Sequence, residues 1–220
     1  MLMVAPPLFR TRVASLTYIG RGTHTGVLAS SITASFDFGA ASPNRHVLVI
    51  SSYWSASTSG PGCTILGVAA ALIKSNYTSN SKSAAFLATV PSGGVGNVVV
   101  NGPSSGGGWS VDCWRIDKVT VPAMVDSEAV STLAQNYTNS GIVVPADGGL
   151  VAAVRHGYFG GARTFTWTGL TENSDAMMAT NYGATAASQR FVGGQNPVNI
   201  GVNCSGTMST GAGFIAVCLQ

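Results

Sequence analysis

Glu172 and Asp175 are the acids whose type and spacing could do chemistry. Paired carboxylates cleave a glycosidic bond when they stand roughly 5–10 Å apart and one has a raised pKa. The two follow a strand-like run, where a loop would present them, and define a polysaccharide hydrolase or lyase as the lowest-ranked reading. No acid stands between Asp37 and Asp112, so the other carboxylates available are Asp112, Asp117, Asp126, Glu128 and Asp147. Gly102-Pro-Ser-Ser-Gly106 matches the nucleophile string of α/β-hydrolases, but that chemistry needs a strand–elbow–helix context, and strand pattern follows here instead. Gly211-Ala-Gly-Phe-Ile-Ala216 is half a dinucleotide fingerprint with no helix to follow it. His24, His46 and His156 lie far apart, and Cys63, Cys113, Cys204 and Cys218 form no paired metal-ligand spacing. The residues therefore argue for no enzyme, no cofactor and no metal.

Aromatic rings are the other chemical resource. Tyr53, Trp54, Trp109, Trp114, Tyr137, Tyr158, Phe159, Trp167 and Tyr182 could stack on sugar C–H faces, with Asn and Thr supplying hydrogen bonds. Trp109 beside its glycines and Tyr158-Phe159 before Gly160-Gly161 are expected to be exposed. With Tyr137 they form the candidate glycan-contact set of a lectin-like module. Charge gives a second candidate surface. The net charge of +3 sits wholly within residues 1–46, where Arg10, Arg12, Arg21 and Arg45 face only Asp37. Arg10, Arg12 and Arg21 are the candidate subunit-docking residues, since a guanidinium clamps a carboxylate bidentately. The bases are too dispersed for a nucleic-acid footprint.

These groups need a frame, and the composition says which kind. Only 9% of the 220 residues are charged, against roughly 25% in an average domain. Apolar residues make up 45%, enough for a sizeable core, and no apolar run reaches the length of a membrane-spanning helix. Short strand-like runs alternate with turn clusters, the pattern of an all-β sandwich. Ile32–Phe38 and Thr164–Thr168 alternate apolar and polar residues, as half-exposed strands do. Val47–Ile50 and Gly213–Leu219 are apolar throughout, which predicts central strands covered on both faces. Asn76–Ser83 reads as a polar loop, and any helix is confined to one or two turns near Asp126–Leu133. About a dozen strands are expected, with no internal repeat of fixed period. The prediction is a two-sheet antiparallel, jelly-roll-like sandwich over residues 15–220 with an extended arm at 1–14. Pro6-Pro7 cuts the initial apolar stretch short, so no secretory signal is read, and thiols are expected at the four cysteines.

Three segments carry a resemblance: Phe36-Asp-Phe-Gly-Ala-Ala-Ser-Pro-Asn-Arg-His-Val-Leu-Val-Ile50, Thr64-Ile-Leu-Gly-Val-Ala-Ala70, and Thr166-Trp-Thr-Gly-Leu-Thr-Glu172 with Asp175. They resemble small β-sandwich structural proteins of tailed phages and gene transfer agents. The chain departs from that pattern at Leu66-Gly67, where the family tends to Gly-Gly. The resemblance implies a virion or phage-like particle component assembled in the bacterial cytoplasm, as head spike, decoration or tail-associated fibre. It implies capsid, spike or tail subunits as partners, self-association, and contact with host surface polysaccharide. It brings no catalytic residues.

Overall fold

An apolar run reading Val47-Leu-Val-Ile50 can be buried on both faces only where layers lie above and below it. That is how the chain folds. The computed structural model describes residues 15–27, 30–54, 61–76, 81–102, 107–117, 124–132, 135–144, 149–179, 181–191, 194–206 and 208–220. The expected arm at 1–14 lies outside the described residues. The strands of the first half are β1 (Ser15–Val27), β2 (Ser31–Asp37), β3 (His46–Trp54), β4 (Gly62–Ile65), β5 (Val68–Ala69), β6 (Ala71–Asn76), β7 (Ser81–Thr89), β8 (Val95–Asn101) and β9 (Gly107–Asp117). Those of the second half are β10 (Met124–Thr132), β11 (Asn136–Val144), β12 (Gly149–Phe159), β13 (Phe165–Thr168), β14 (Thr171–Ala179), β15 (Tyr182–Phe191), β16 (Gln195–Cys204) and β17 (Met208–Leu219).

The all-β antiparallel sandwich is present, and it is built twice. In the first half a five-stranded sheet of order β1-β9-β3-β7-β6 faces a four-stranded sheet β2-β8-β4-β5. In the second half β10-β17-β12-β15-β14 faces β11-β16-β13. Matching the strands in chain order gives the same jelly-roll winding in both, with β5 alone lacking a counterpart. Each half has its own core: Val47, Val49, Phe86, Trp109 and Cys113 against Ile32, Phe36, Ile65 and Val98 in the first, Phe214, Ala216 and Cys218 against Val198, Ile200, Val202 and Cys204 in the second. A third core, the seam, joins the two large sheets through Leu48, Ile50, Trp114 and Ile116 on one side and Val154, Ala186, Ile215, Val217 and Leu219 on the other.

Strand pleating explains the sharing. Along β3, Val47 and Val49 point into their own sandwich while Leu48 and Ile50 point into the seam. Along β17, Phe214, Ala216 and Cys218 face inward, and Ile215, Val217 and Leu219 face the seam. The doubly apolar runs read from the sequence are therefore the strands between layers.

The single two-sheet sandwich of about a dozen strands is instead two sandwiches with seventeen described strands, and two local expectations also need correction. The helical turns near Asp126–Leu133 are absent: Met124–Thr132 is strand β10, paired from Met124↔Leu219 to Thr132↔Ala212 along β17, while Leu133 lies outside the described residues. Partner availability overrides local propensity there. The polar stretch Asn76–Ser83 is not wholly loop either, because Asn76 ends β6 and Ser81–Ser83 begin β7 as buried residues. The Leu66-Gly67 departure also has a structural consequence. Both residues have positive φ, +48° and +79°, between the paired Ile65 and Val68. A two-residue hairpin of this hand wants glycine or asparagine first, so leucine there carries backbone strain.

Candidate functional site

The densest polar chemistry lies on the seam, where β1 and β9 of the first sandwich meet β14 and β15 of the second. Asp112 is the only acid in an otherwise apolar stretch of β9 and is fully buried. Pleating turns it toward the seam, as it does Trp114. Arg21 on β1 answers it bidentately, Nε to Oδ1 at 2.8 Å and Nη2 to Oδ2 at 3.0 Å, with its own side chain only 6% exposed. The remaining guanidinium nitrogen, Nη1, reaches across the seam to the Ala184 carbonyl at 2.5 Å. Tyr18 Oη stands 2.9 Å from both Asp112 Oδ1 and Ser174 Oγ of β14. Burial, then the Asp112 charge, push the Tyr18 phenol well above its ordinary pKa, so it stays a neutral donor. One turn of pleat away, the Trp114 indole and the Ser188 hydroxyl both donate to Asn173 Oδ1, at 3.1 and 2.7 Å. A buried charge pair is tolerated when its remaining hydrogen-bonding capacity is filled, and here it is filled from both sandwiches.

Glu172 and Asp175 flank this cluster on β14, the outer strand of its sheet. The structure places them within a strand, not in a loop following one. Both are exposed, yet both carboxyls are raised above the usual range. Lost hydration is the leading cause for each, and the Asp175 charge adds to the effect on Glu172. Asp175 Oδ2 accepts the Phe165 N–H at 3.1 Å, which ties β14 to β13. Acid–base pairs are recognised by environments that drive two pKa values apart, whereas these two move in the same direction.

The other sequence candidates fall as follows. Trp109 is fully buried in the first core, its indole donating to Ser51 Oγ, so it offers no face to a sugar. The glycines beside it do not expose it; they let other groups come close. Phe159 is likewise fully buried, edge-on to Phe165 at 5.7 Å. Tyr137 is half-buried and stacks on Phe214 with ring centroids 4.2 Å apart, a packing role in the second core. The Tyr158 side chain, like Arg10 and Arg12, lies outside what the structure describes. Arg21 is spent within the chain and is not a docking group. Among the described residues no three His, Cys, Asp or Glu side chains gather into a group that could hold a metal ion.

The sequence reading misses Tyr18, Asn173 and Ser174 altogether and names Asp112 only as one acid among several. A lone carboxylate inside an apolar strand is a signal that a buried cation must answer it. Arg21 is that cation, although its place in the sequence suggests an outward-facing role.

No protein-family model and no curated protein matches this chain. Among solved structures, one titled recombinant N-glycanase F (PNGase F) aligns over 93% of this chain and 95% of that one. The identity is 11% and the TM-score 0.26, a likeness too distant to bear on fold or activity.

Proposed function

We propose that this chain is a structural subunit of a phage-like particle, of the head-spike or decoration kind, that works by being built in. The observation that carries this reading is the seam. The groups best suited to chemistry, Arg21, Asp112, Tyr18 and Ser174, are spent on one another in joining two jelly rolls face to face. The two jelly rolls pack as four layers of sheet. The sparse charge supports the same reading, since a surface coated in Gly, Ser and Thr has little self-repulsion to oppose close packing of copies. The resemblance of Phe36–Ile50, Thr64–Ala70 and Thr166–Glu172 to phage and gene-transfer-agent components gives the kind of assembly. Self-association and contacts with capsid, spike or tail subunits follow from it.

The test is a mass-spectrometric inventory of particles purified from cells that express the chain, with mass measurement of the isolated protein. Recovery of the chain in fixed ratio to the capsid protein is the expected result. A strict monomer absent from purified particles would overturn the proposal.

A further inference from the structure

Two large aromatic side chains, Trp54 at the end of β3 and Tyr182 at the start of β15, belong to none of the three cores. Strand alternation puts them on the seam-facing sides of their sheets. Trp54 continues the series Leu48, Ile50, Ser52, and Tyr182 begins the series that runs through Ala184 and Ala186 to Ser188. One comes from each sandwich, and they meet where the seam ends, ring centroids 6.2 Å apart and planes inclined by 54°. Both are half-buried.

The backbone beside them is pared down to admit the tyrosine. A Cβ on Gly107 would lie 3.1 Å from Tyr182 Oη, and one on Gly108 would lie 2.7 Å from Tyr182 Cβ and Cγ. Gly108 also has φ near +62°, in the left-handed region. Gly107 and Gly108 are thus the bed of an aromatic side chain.

The Trp54 indole adds a second observation. Its Nε1 is enclosed and has no hydrogen-bond partner. The other three indoles donate, to Ser51, Asn173 and Thr185. An enclosed indole N–H ordinarily finds an acceptor, so an orphan calls for an explanation. The first sandwich brings little charge to this end: from Gly39 to Val111 the chain holds no acid, and its only Lys and Arg are Arg45, Lys74 and Lys82.

We propose that Trp54 and Tyr182 form a saccharide-binding site at the end of the seam. A sugar ring offers a C–H face to stack on, a hydroxyl oxygen for the Trp54 indole N–H, and no charge to be matched. A nucleotide would need cations for its phosphates, and no Lys or Arg contact to Trp54 is seen among the described residues. The proposal replaces the Trp109-centred platform expected from sequence. It stands whether or not the chain is a particle subunit, so the particle inventory and the binding experiment succeed or fail separately.

The experiment is an array of bacterial O-antigen and capsular oligosaccharides probed with the full chain, followed by tryptophan-fluorescence titration of the oligosaccharides that register. Trp54→Ala and Tyr182→Ala should each weaken binding by about tenfold or more. Trp167→Phe should leave affinity unchanged. Because neither ring belongs to a core, both alanine variants should keep the wild-type circular dichroism spectrum. No wild-type signal across the array at millimolar oligosaccharide would overturn the proposal. So would wild-type affinity in folded Trp54→Ala and Tyr182→Ala proteins.

Discussion

The two sandwiches share a winding and differ in what they bring to their common boundary. Equivalent positions repeat in kind: Trp109 and Phe214 fill their respective cores, and Cys113 and Cys218 follow them at the same spacing on strands β9 and β17. Gly67 after β4 and Gly169 after β13 both turn the chain at φ near +79°. At the seam the likeness ends. The first sandwich supplies a buried ion pair, Arg21 with Asp112, and the second supplies neutral partners, the Ala184 carbonyl and the Ser174 hydroxyl. Topology constrains the cores, where apolar shape suffices, and leaves the boundary free to specialise.

The largest effect should come from unbalancing that boundary. Asp112→Ala leaves the Arg21 guanidinium buried without its carboxylate, and breaking a buried pair on one side costs about 3–5 kcal/mol. Urea denaturation should show that loss, and replacing both residues by apolar ones of similar size should recover most of it. A loss below about 1 kcal/mol would mean the seam is held by its apolar core alone.

The paired turn glycines separate backbone conformation from crowding. A Cβ on Gly67 meets nothing within 4 Å, so Gly67→Ala should cost only the left-handed penalty of about 1–2 kcal/mol. A Cβ on Gly169 would run into the Asn199 carbonyl oxygen, so Gly169→Ala should cost about 1–3 kcal/mol more. Equal losses in thermal melts would contradict this difference between the two turns.

A smaller effect is electrostatic. Glu172 and Asp175 hold protons more tightly when folded than in the unfolded chain, where carboxyl pKa values lie near about 4. Protonation therefore favours the fold. The associated stability is complete below the unfolded values and is lost as pH climbs through the raised ones. Glu172→Gln should flatten the fall of melting temperature as pH rises above the unfolded carboxyl value of about 4. An unchanged slope would remove Glu172 from the account.

The smallest signal should be the thiols. All four cysteines are buried thiols outside any disulfide, and burial pushes the Cys63 thiol up to about 12. Burial, followed by the neighbouring Cys63, also raises Cys113 well above its ordinary value. Native protein at mildly alkaline pH should leave both cores silent to a thiol reagent, and denatured protein should react at four sites. Fast reaction in one sandwich alone would show that its core opens more readily than the other's.

How much of this is legible in the sequence depends on what each strand buries. β3 and β17 announce themselves, because a strand between two layers must be apolar on both faces. β1 and β15 do not: Gly, Ser, Thr and Ala dominate them, and small residues at a close-packed seam leave no hydrophobic period. The duplication stays hidden for a related reason. Loops of different length separate the equivalent strands, so no fixed period survives, although Thr64–Gly67 and Thr166–Gly169 both end on a glycine of positive φ. Trp109 is misjudged as exposed because glycines stand beside it, whereas Gly107 and Gly108 make room for Tyr182 across the seam.

Scanning calorimetry of the unmodified chain tests most directly whether the seam makes two jelly rolls into one body. A shared core plus a charge pair bonded across it predicts a single transition, with calorimetric and van't Hoff enthalpies equal. Two resolved transitions, or a calorimetric enthalpy about twice the van't Hoff value, would mean that each sandwich melts alone and the seam is only a contact.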